Sequence, residues 1–192
     1  MNQFKEDIPR EELMMRAKKI IQFKEAAQKE LLERGYLYDR DFGCCGQGTL
    51  LALQEILGFE DELLFRSATY LAGGLGRTQQ TCGALLGGVL MLGVIFGRSE
   101  PTLARTHLEE DREGAVVELV RWFEEKYGSC SCREITGFDF SNKEDFAKFF
   151  ISKEHDDCFR RNGEVAAEVI EILYKKEKLT KPEGKAYVPP SE

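Results

Sequence analysis

The chain has 192 residues, of which 42% are hydrophobic and 32% are charged, and this composition predicts one globular domain with a substantial core. It has 34 acidic and 27 basic residues, a formal net charge of −7 with no basic cluster, so no nucleic-acid partner is expected. The charged N-terminal sequence MNQFKEDIPREEL has no apolar signal-peptide core, which predicts a cytoplasmic protein with free, metal-bound or redox-active cysteines.

Apolar residues at helical spacing predict an all-α fold, a bundle of about six or seven helices. In chain order, the expected helices span residues 9–34, 47–57, 61–71, 82–96, 106–127, 142–149 and 157–178. Thr81 is expected to cap the fourth of these helices, and the spacing of Ser141 and Glu144 predicts a capping box at the sixth. Helix ends are expected at four glycines, which are Gly35, Gly58, Gly97 and Gly128. The segments 35–43, 72–80 and 128–140 are expected to be loops.

Residues 1–179 are expected to form a single helical domain, followed by a mobile polar tail over 180–192. Within the domain, the amphipathic segment 1–40 precedes the region that carries the cysteines, and we expect it to cover its own bundle or a second copy in a homodimer. No charged residue stands between Arg77 and Arg98. The apolar part of this run is shorter than the roughly 20 residues of a membrane span. It therefore predicts a buried central helix, with no membrane span.

The candidate chemistry lies in the cysteines, four of which are expected before or near helix starts: Cys44, Cys45, Cys82 and Cys158. Unpaired N–H groups and the positive end of a helix favour the thiolate, which binds metals and attacks disulfides. A buried structural role is the alternative for each cysteine, because cysteine is among the most buried residue types.

Three other residues are candidates for the same site. Gly83 and Gly87 are four residues apart and share a helical face, where a second backbone or a bulky cofactor could approach closely. His155 precedes Cys158 by three residues and is an alternate ligand, whereas His107 lies in a polar stretch and is expected at the surface. No isolated pair of carboxylates is present, so no catalytic residue is assigned.

Five segments occur in an order that resembles the redox-active C-GCAxxG-C-C family. They are CGQGTLLAL from Cys45, GGLGR from Gly73, TCGALLG from Thr81, YGSCSCR from Tyr127, and Cys158. The resemblance covers residues 41–173 and implies a small helical redox protein. It also implies that the functional cysteines are Cys45, Cys82, Cys132 and Cys158.

The chain is also similar to the cysteine-containing domain of split-Soret cytochromes, in which the four cysteines are candidate iron–sulfur ligands. It has no Cys-x-x-Cys-His sequence, so the resemblance implies no haem site. Thr81 stands where the family name has a glycine, and Gln79 stands where a small residue is expected. Cys44 and Cys130 are additional to the pattern and are alternates to their neighbours.

Three functions are compatible with these features. The first is an electron-transfer protein whose four cysteines bind an iron–sulfur cluster and whose redox partner is an unidentified protein. The second is a cofactor-free thiol–disulfide protein in which Cys82 attacks and another cysteine resolves. The third is a helical binding or assembly module with buried cysteines. Cys82 lies in the most specific motif, so its loss is predicted to have the largest effect.

Overall fold

The computed structural model describes residues 10–58, 60–97 and 114–180, and this part of the chain is helical. Its only extended pairing is an isolated bridge between Thr81 and Ser131. Nine α-helices of five or more residues occur in these ranges, so the predicted all-α class is confirmed. They are α1 Arg10–Ile21, α2 Lys24–Phe42, α3 Cys45–Leu57, α4 Glu62–Ser67, α5 Gly83–Phe96, α6 Ala115–Tyr127, α7 Cys132–Thr136, α8 Lys143–Phe149 and α9 Lys153–Thr180.

Two helices organise the core. The sequence of α5, GALLGGVLMLGVIF, has no charged residue, and a helix that is apolar all round is stable only when it is buried. Helix α9 lies along α2 and also contacts α3, α5 and α6. Their fully buried side chains include Leu85, Met91, Leu92 and Ile95 on α5 and Val165, Val169, Ile170 and Ile172 on α9. No helix of the described residues has the length and apolar character that a membrane span requires.

The prediction for the first helix was wrong at its end. The helix is interrupted after Ile21. It resumes as α2, which continues to Phe42 through the segment that was expected to be a loop. Gly35 lies inside α2, where a Cβ atom would come within 2.5 Å of the Cα of Gly163. The missing side chains at these two glycines let the backbones of α2 and α9 cross closely, so Gly35 serves packing and not termination.

Several other boundaries also differ from the prediction. The last helix begins at Lys153, four residues earlier than expected, and the expected loop 128–140 contains α7. Cys82, not Thr81, is the N-cap of α5. Asn142, not Ser141, caps α8, because its Oδ1 accepts the N–H groups of the first turn at 2.9 and 3.2 Å. Local capping signals thus identified both helix starts but missed the capping residue by one position.

Other predicted ends are confirmed. Gly58 and Gly128 follow α3 and α6 in the left-handed conformation, and Gly97 follows α5 in an extended one. The first part of the helix expected at 106–127, with His107, and residues 181–192 lie outside the described residues. The domain boundaries and the homodimer stay predictions.

Candidate functional site

Four cysteines from different parts of the fold line one cavity of about 140 Å³. Cys45 begins α3, Cys82 caps α5, Cys132 begins α7, and Cys158 lies in the second turn of α9. All six cysteines of the chain are free of disulfides. The four that the family resemblance implied are thus neighbours in space, whereas Cys44 and Cys130 are absent from the cavity lining.

Two glycines make room for two of these cysteines. A Cβ atom at Gly83 would collide with the Sγ atom of Cys45 and would lie 2.5 Å from the carbonyl oxygen of Leu71. A Cβ atom at Gly74 would lie 2.7 Å from the Cβ of Cys132. The close approach expected at Gly83 is therefore that of a cysteine and a backbone segment. Gly74 was missed by sequence reasoning, although its place in a glycine-rich stretch was a usable signal.

Gly87 fixes the crossing of α3 and α5. A Cβ atom there would lie 2.6 Å from the carbonyl oxygen of Gly46, which directly follows Cys45. Only hydrogen at Gly87 allows the first turn of α3 to lie against α5, because contacts this short do not occur for real Cβ atoms. The crossing holds Cys45 beside the start of the helix that Cys82 caps.

A short antiparallel pairing holds Cys82 and Cys132 together. The backbone N–H of Cys82 donates to the carbonyl of Cys130 at 2.8 Å, and that of Cys132 donates to the carbonyl of Gln80 at 2.6 Å. These bonds flank the bridge between Thr81 and Ser131. Cys130 therefore contributes its backbone to the site, while its side chain lies outside the cavity lining.

Gln79, where the family resemblance led us to expect a small residue, is buried and has a positive φ of 59°. Its Nε2 donates to the carbonyl of Phe138 at 2.7 Å, and its Oε1 accepts the N–H of Phe140 at 2.8 Å. The amide therefore fixes the segment that carries Phe140, which lines the cavity. A long polar side chain is required here because it bonds two backbone groups at once.

Burial raises the pKa of every cysteine. The pKa of Cys132 rises to about 12, that of Cys158 to about 11, and that of Cys45 lies well above its ordinary value. The N–H groups of Ala84 and Leu85 face Cys82 and oppose this effect, but burial dominates its pKa as well. The N–H groups at the start of α5 therefore do not bring the pKa of Cys82 below its ordinary value, because burial raises it more than they lower it.

Arg161 is a cavity residue that sequence reasoning missed. Its side chain is 6% exposed, and its Nη1 donates to the Sγ of Cys158 at 3.2 Å. The guanidinium lies 4.9 Å from the ring centroid of Tyr127, and its Nε has no hydrogen-bond partner. The buried carboxyl group of Asp39 lines the same cavity, and Arg161 lowers its pKa. A usable signal was its spacing of three residues from Cys158, which places the two side chains on the same face of a helix.

Asp39 is a second buried polar group that the sequence did not reveal. It is 5% exposed and lines the cavity, and burial raises its pKa to about 6. Its position follows from the continuation of α2 beyond Gly35, which brings Asp39 against the backbone of Gly48 in α3. A segment expected to be a loop thus supplies a carboxyl group to the site.

His155 lies at the cavity, as its role of alternate ligand requires. Its Nδ1 is 3.3 Å from the carbonyl oxygen of Phe150, so Nδ1 carries the proton in that hydrogen bond and Nε2 is left as the acceptor. Burial lowers the pKa of His155, which favours the neutral ring. A neutral imidazole with its second nitrogen bonded to a carbonyl is the usual form of a metal-binding histidine.

Much of the remaining wall of the cavity is aromatic, with the side chains of Phe140, Phe146, Phe149 and Phe150. The ring centroid of Phe140 lies 5.2 Å from that of Phe146 and 4.8 Å from that of Phe149. These distances are typical of packed aromatic pairs. Arg77 lies over the face of Phe146 with 5.2 Å between the guanidinium carbon and the ring centroid. This wall limits the access of water to the cysteines and lowers the local dielectric constant.

The four cysteines line the cavity, but their side chains do not converge on a single metal position. Among the residues described by the structure, no group of three or more His, Cys, Asp or Glu side chains is placed to hold a metal ion. A single zinc ion needs four ligand atoms at about 2.0–2.3 Å from one centre. The arrangement is therefore one of four separated thiols around a shared space.

No curated protein and no solved structure matches the chain. The family model described as "Putative redox-active protein (C_GCAxxG_C_C)" matches residues 43–173, a range that includes all four cysteines of the cavity. The chain therefore belongs to the C_GCAxxG_C_C family of redox-active proteins.

Proposed function

We propose that the chain is an electron-transfer protein whose Cys45, Cys82, Cys132 and Cys158 bind an iron–sulfur cluster. The observation that carries this proposal is that four thiols from four separate elements line one cavity. Four cysteine thiolates are the usual ligand set of such clusters. The two additional cysteines of the chain lie outside the cavity lining, so the number of thiols at the site matches that ligand set.

The size of the cavity supports an occupant larger than one ion. Its volume is about 140 Å³, and an apolar cavity of about 150 Å³ is large enough to hold a benzene molecule. The separated thiols suit a cluster with several metal atoms better than one tetrahedral ion. When bound, such a cluster would supply reversible one-electron chemistry.

The chain's own residues would bind and tune this group. Hydrogen-bond donors face three of the four sulfurs: the N–H of Gly73 faces Cys45, those of Ala84 and Leu85 face Cys82, and Arg161 bonds Cys158. Hydrogen bonds to the sulfurs and burial are two main determinants of the potential of a cluster. The aromatic wall would exclude water, which protects a reduced site from solvent.

The cofactor-free thiol–disulfide function is the second candidate, favoured by the hydrogen bond from Arg161 to Cys158. A neighbouring guanidinium is a known means of lowering a thiol pKa. Burial nevertheless keeps the pKa of Cys158 at about 11, so little attacking thiolate would form at neutral pH. The cluster function is therefore supported better.

The test is the iron and acid-labile sulfide content of the chain prepared without oxygen. We expect both elements in the wild-type protein, with a brown colour and visible absorbance. Two matched pairs of variants locate the ligands: Cys45→Ser against Cys44→Ser, and Cys132→Ser against Cys130→Ser. The first member of each pair should lose the cluster and the second should keep it. Protein that takes up neither iron nor sulfide, or pairs whose members behave alike, would contradict the proposal.

A further inference from the structure

We infer that Arg161 is the internal counter-cation of the cysteine cavity and that it makes the cavity specific for a negatively charged occupant. This inference rests on the proposed function and states a requirement of the same site. The guanidinium is buried, it bonds Cys158, and its Nε lacks a hydrogen-bond partner. The guanidinium also acts on the buried carboxyl group of Asp39, whose pKa it lowers against the effect of burial, but no hydrogen bond or ion pair joins these two described side chains.

While the cavity thiols are neutral, a cation in this position is compensated only at a distance, by the carboxyl group of Asp39. Burying a charge is costly unless it is paired and its donors are satisfied. The face of Tyr127 offers partial compensation, since a cation over an aromatic ring contributes far less than an ion pair. A thiolate-ligated cluster carries net negative charge and would supply the missing partner.

The side chain cannot easily leave the cavity, because the backbone that directly follows it is held in the core. Asn162 follows Arg161 and contacts Thr49, whose Oγ1 lies 3.2 Å from the Asn162 Oδ1. Gly163 then packs against Gly35 in the crossing of α2 and α9. Because this segment of α9 is locked into the core, the guanidinium is positioned in advance for its partner.

The other positively charged groups near the cavity do not replace Arg161. Arg77 is exposed and lies over Phe146 at the aromatic wall. Burial lowers the pKa of His155, which favours its neutral form. Arg160, the chain neighbour of Arg161, is exposed and pairs with Asp156. It therefore provides a matched control that removes the same charge one residue away.

The test measures thermal midpoints and iron retention for Arg161→Met, Arg161→Lys and Arg160→Met. Each is measured in the metal-free chain and in the chain loaded with iron and sulfide. We expect Arg161→Met to raise the midpoint of the metal-free chain and to lower that of the loaded chain. Loss of iron to a chelator should become roughly tenfold faster or more, since hydrogen bonds to charged groups are strong. Arg161→Lys should recover part of this loss, and Arg160→Met should show neither effect.

A second readout is the midpoint potential from a titration with dithionite. Reduction adds negative charge to the site, so a nearby cation stabilises the reduced form. We expect the potential to fall in Arg161→Met and to remain unchanged in Arg160→Met. Equal losses of stability in the metal-free and loaded chains, or a potential that does not move, would overturn the inference.

Failure of the proposed function is distinguishable from failure of this inference. If the wild-type chain takes up no iron and sulfide, the proposed cluster is refuted while the metal-free measurement still decides the role of Arg161. A metal-free midpoint that rises in Arg161→Met but not in Arg160→Met supports an uncompensated buried cation. A midpoint that falls or does not change in Arg161→Met shows that Arg161 already has its partners, and it refutes the inference.

Discussion

Replacing Gly83 by alanine adds one methyl group at the closest contact of the cysteine site. The new Cβ atom would collide with the Sγ of Cys45, and it would lie 2.5 Å from the carbonyl oxygen and 3.1 Å from the carbonyl carbon of Leu71. Real Cβ atoms essentially never approach other heavy atoms within 3.0 Å. Cys45 could turn away, but the backbone at Leu71 cannot yield in the same way, so α5 must move.

Forced shifts of this kind typically cost about 1–3 kcal/mol of the free energy of unfolding. For a chain of this size, 1 kcal/mol corresponds to a change in Tm of roughly 2–4 °C. We therefore expect Gly83→Ala to lower Tm by roughly 2–12 °C, as measured by circular dichroism at a fixed heating rate. The larger Gly83→Leu should cost more. Both variants should also lose bound iron and sulfide, because Cys45 is displaced from the cavity.

Gly93 provides the matched control in the same helix. It is exposed, and a Cβ atom there would have no heavy atom within 4 Å. Gly93→Ala should therefore stabilise the chain by about 0.5–1 kcal/mol, the usual difference between the two residues in a helix. If Gly83→Ala matched Gly93→Ala in stability and cluster content, the close contact at Gly83 would have no energetic significance and the reasoning would be refuted.

Cys82→Ser should abolish visible absorbance and thiol redox activity, whereas Cys44→Ser and Cys130→Ser should leave most of both. Equal effects at the three positions would contradict the assignment of the functional cysteines. Burial raises the pKa of Asp39 from its ordinary value of 3.8 to about 6. A carboxyl group whose folded pKa is raised contributes stability that is present below 3.8 and is lost as the pH rises through about 6. Metal-free protein should therefore lose stability across this window, and Asp39→Asn should weaken that dependence in urea unfolding at several pH values. Light scattering at micromolar concentration should return the mass of a homodimer, and a monomer mass would refute this prediction.

Local sequence signals were reliable where the decisive interactions are local. The left-handed glycines that follow α3 and α6 were identified because a helix end needs a residue with positive φ, and Gly58 and Gly128 supply it. The burial of α5 followed from an uncharged sequence too short to span a membrane. Gly35 shows the limit of the same rule, since its use in a helix crossing depends on Gly163, which is distant in the chain.

The sequence by itself determined the helical class and most helix positions. Through the order of its motifs, it also determined which four cysteines are the candidates for the site. Only the tertiary structure decided that Cys45, Cys82, Cys132 and Cys158 share a cavity and that Arg161 lies among them. It also decided that burial raises the pKa of the thiols, although N–H groups at the start of α5 face Cys82. The physical reason is that periodicity and capping depend on residues a few positions apart, whereas burial and desolvation depend on chain segments that only the fold brings together.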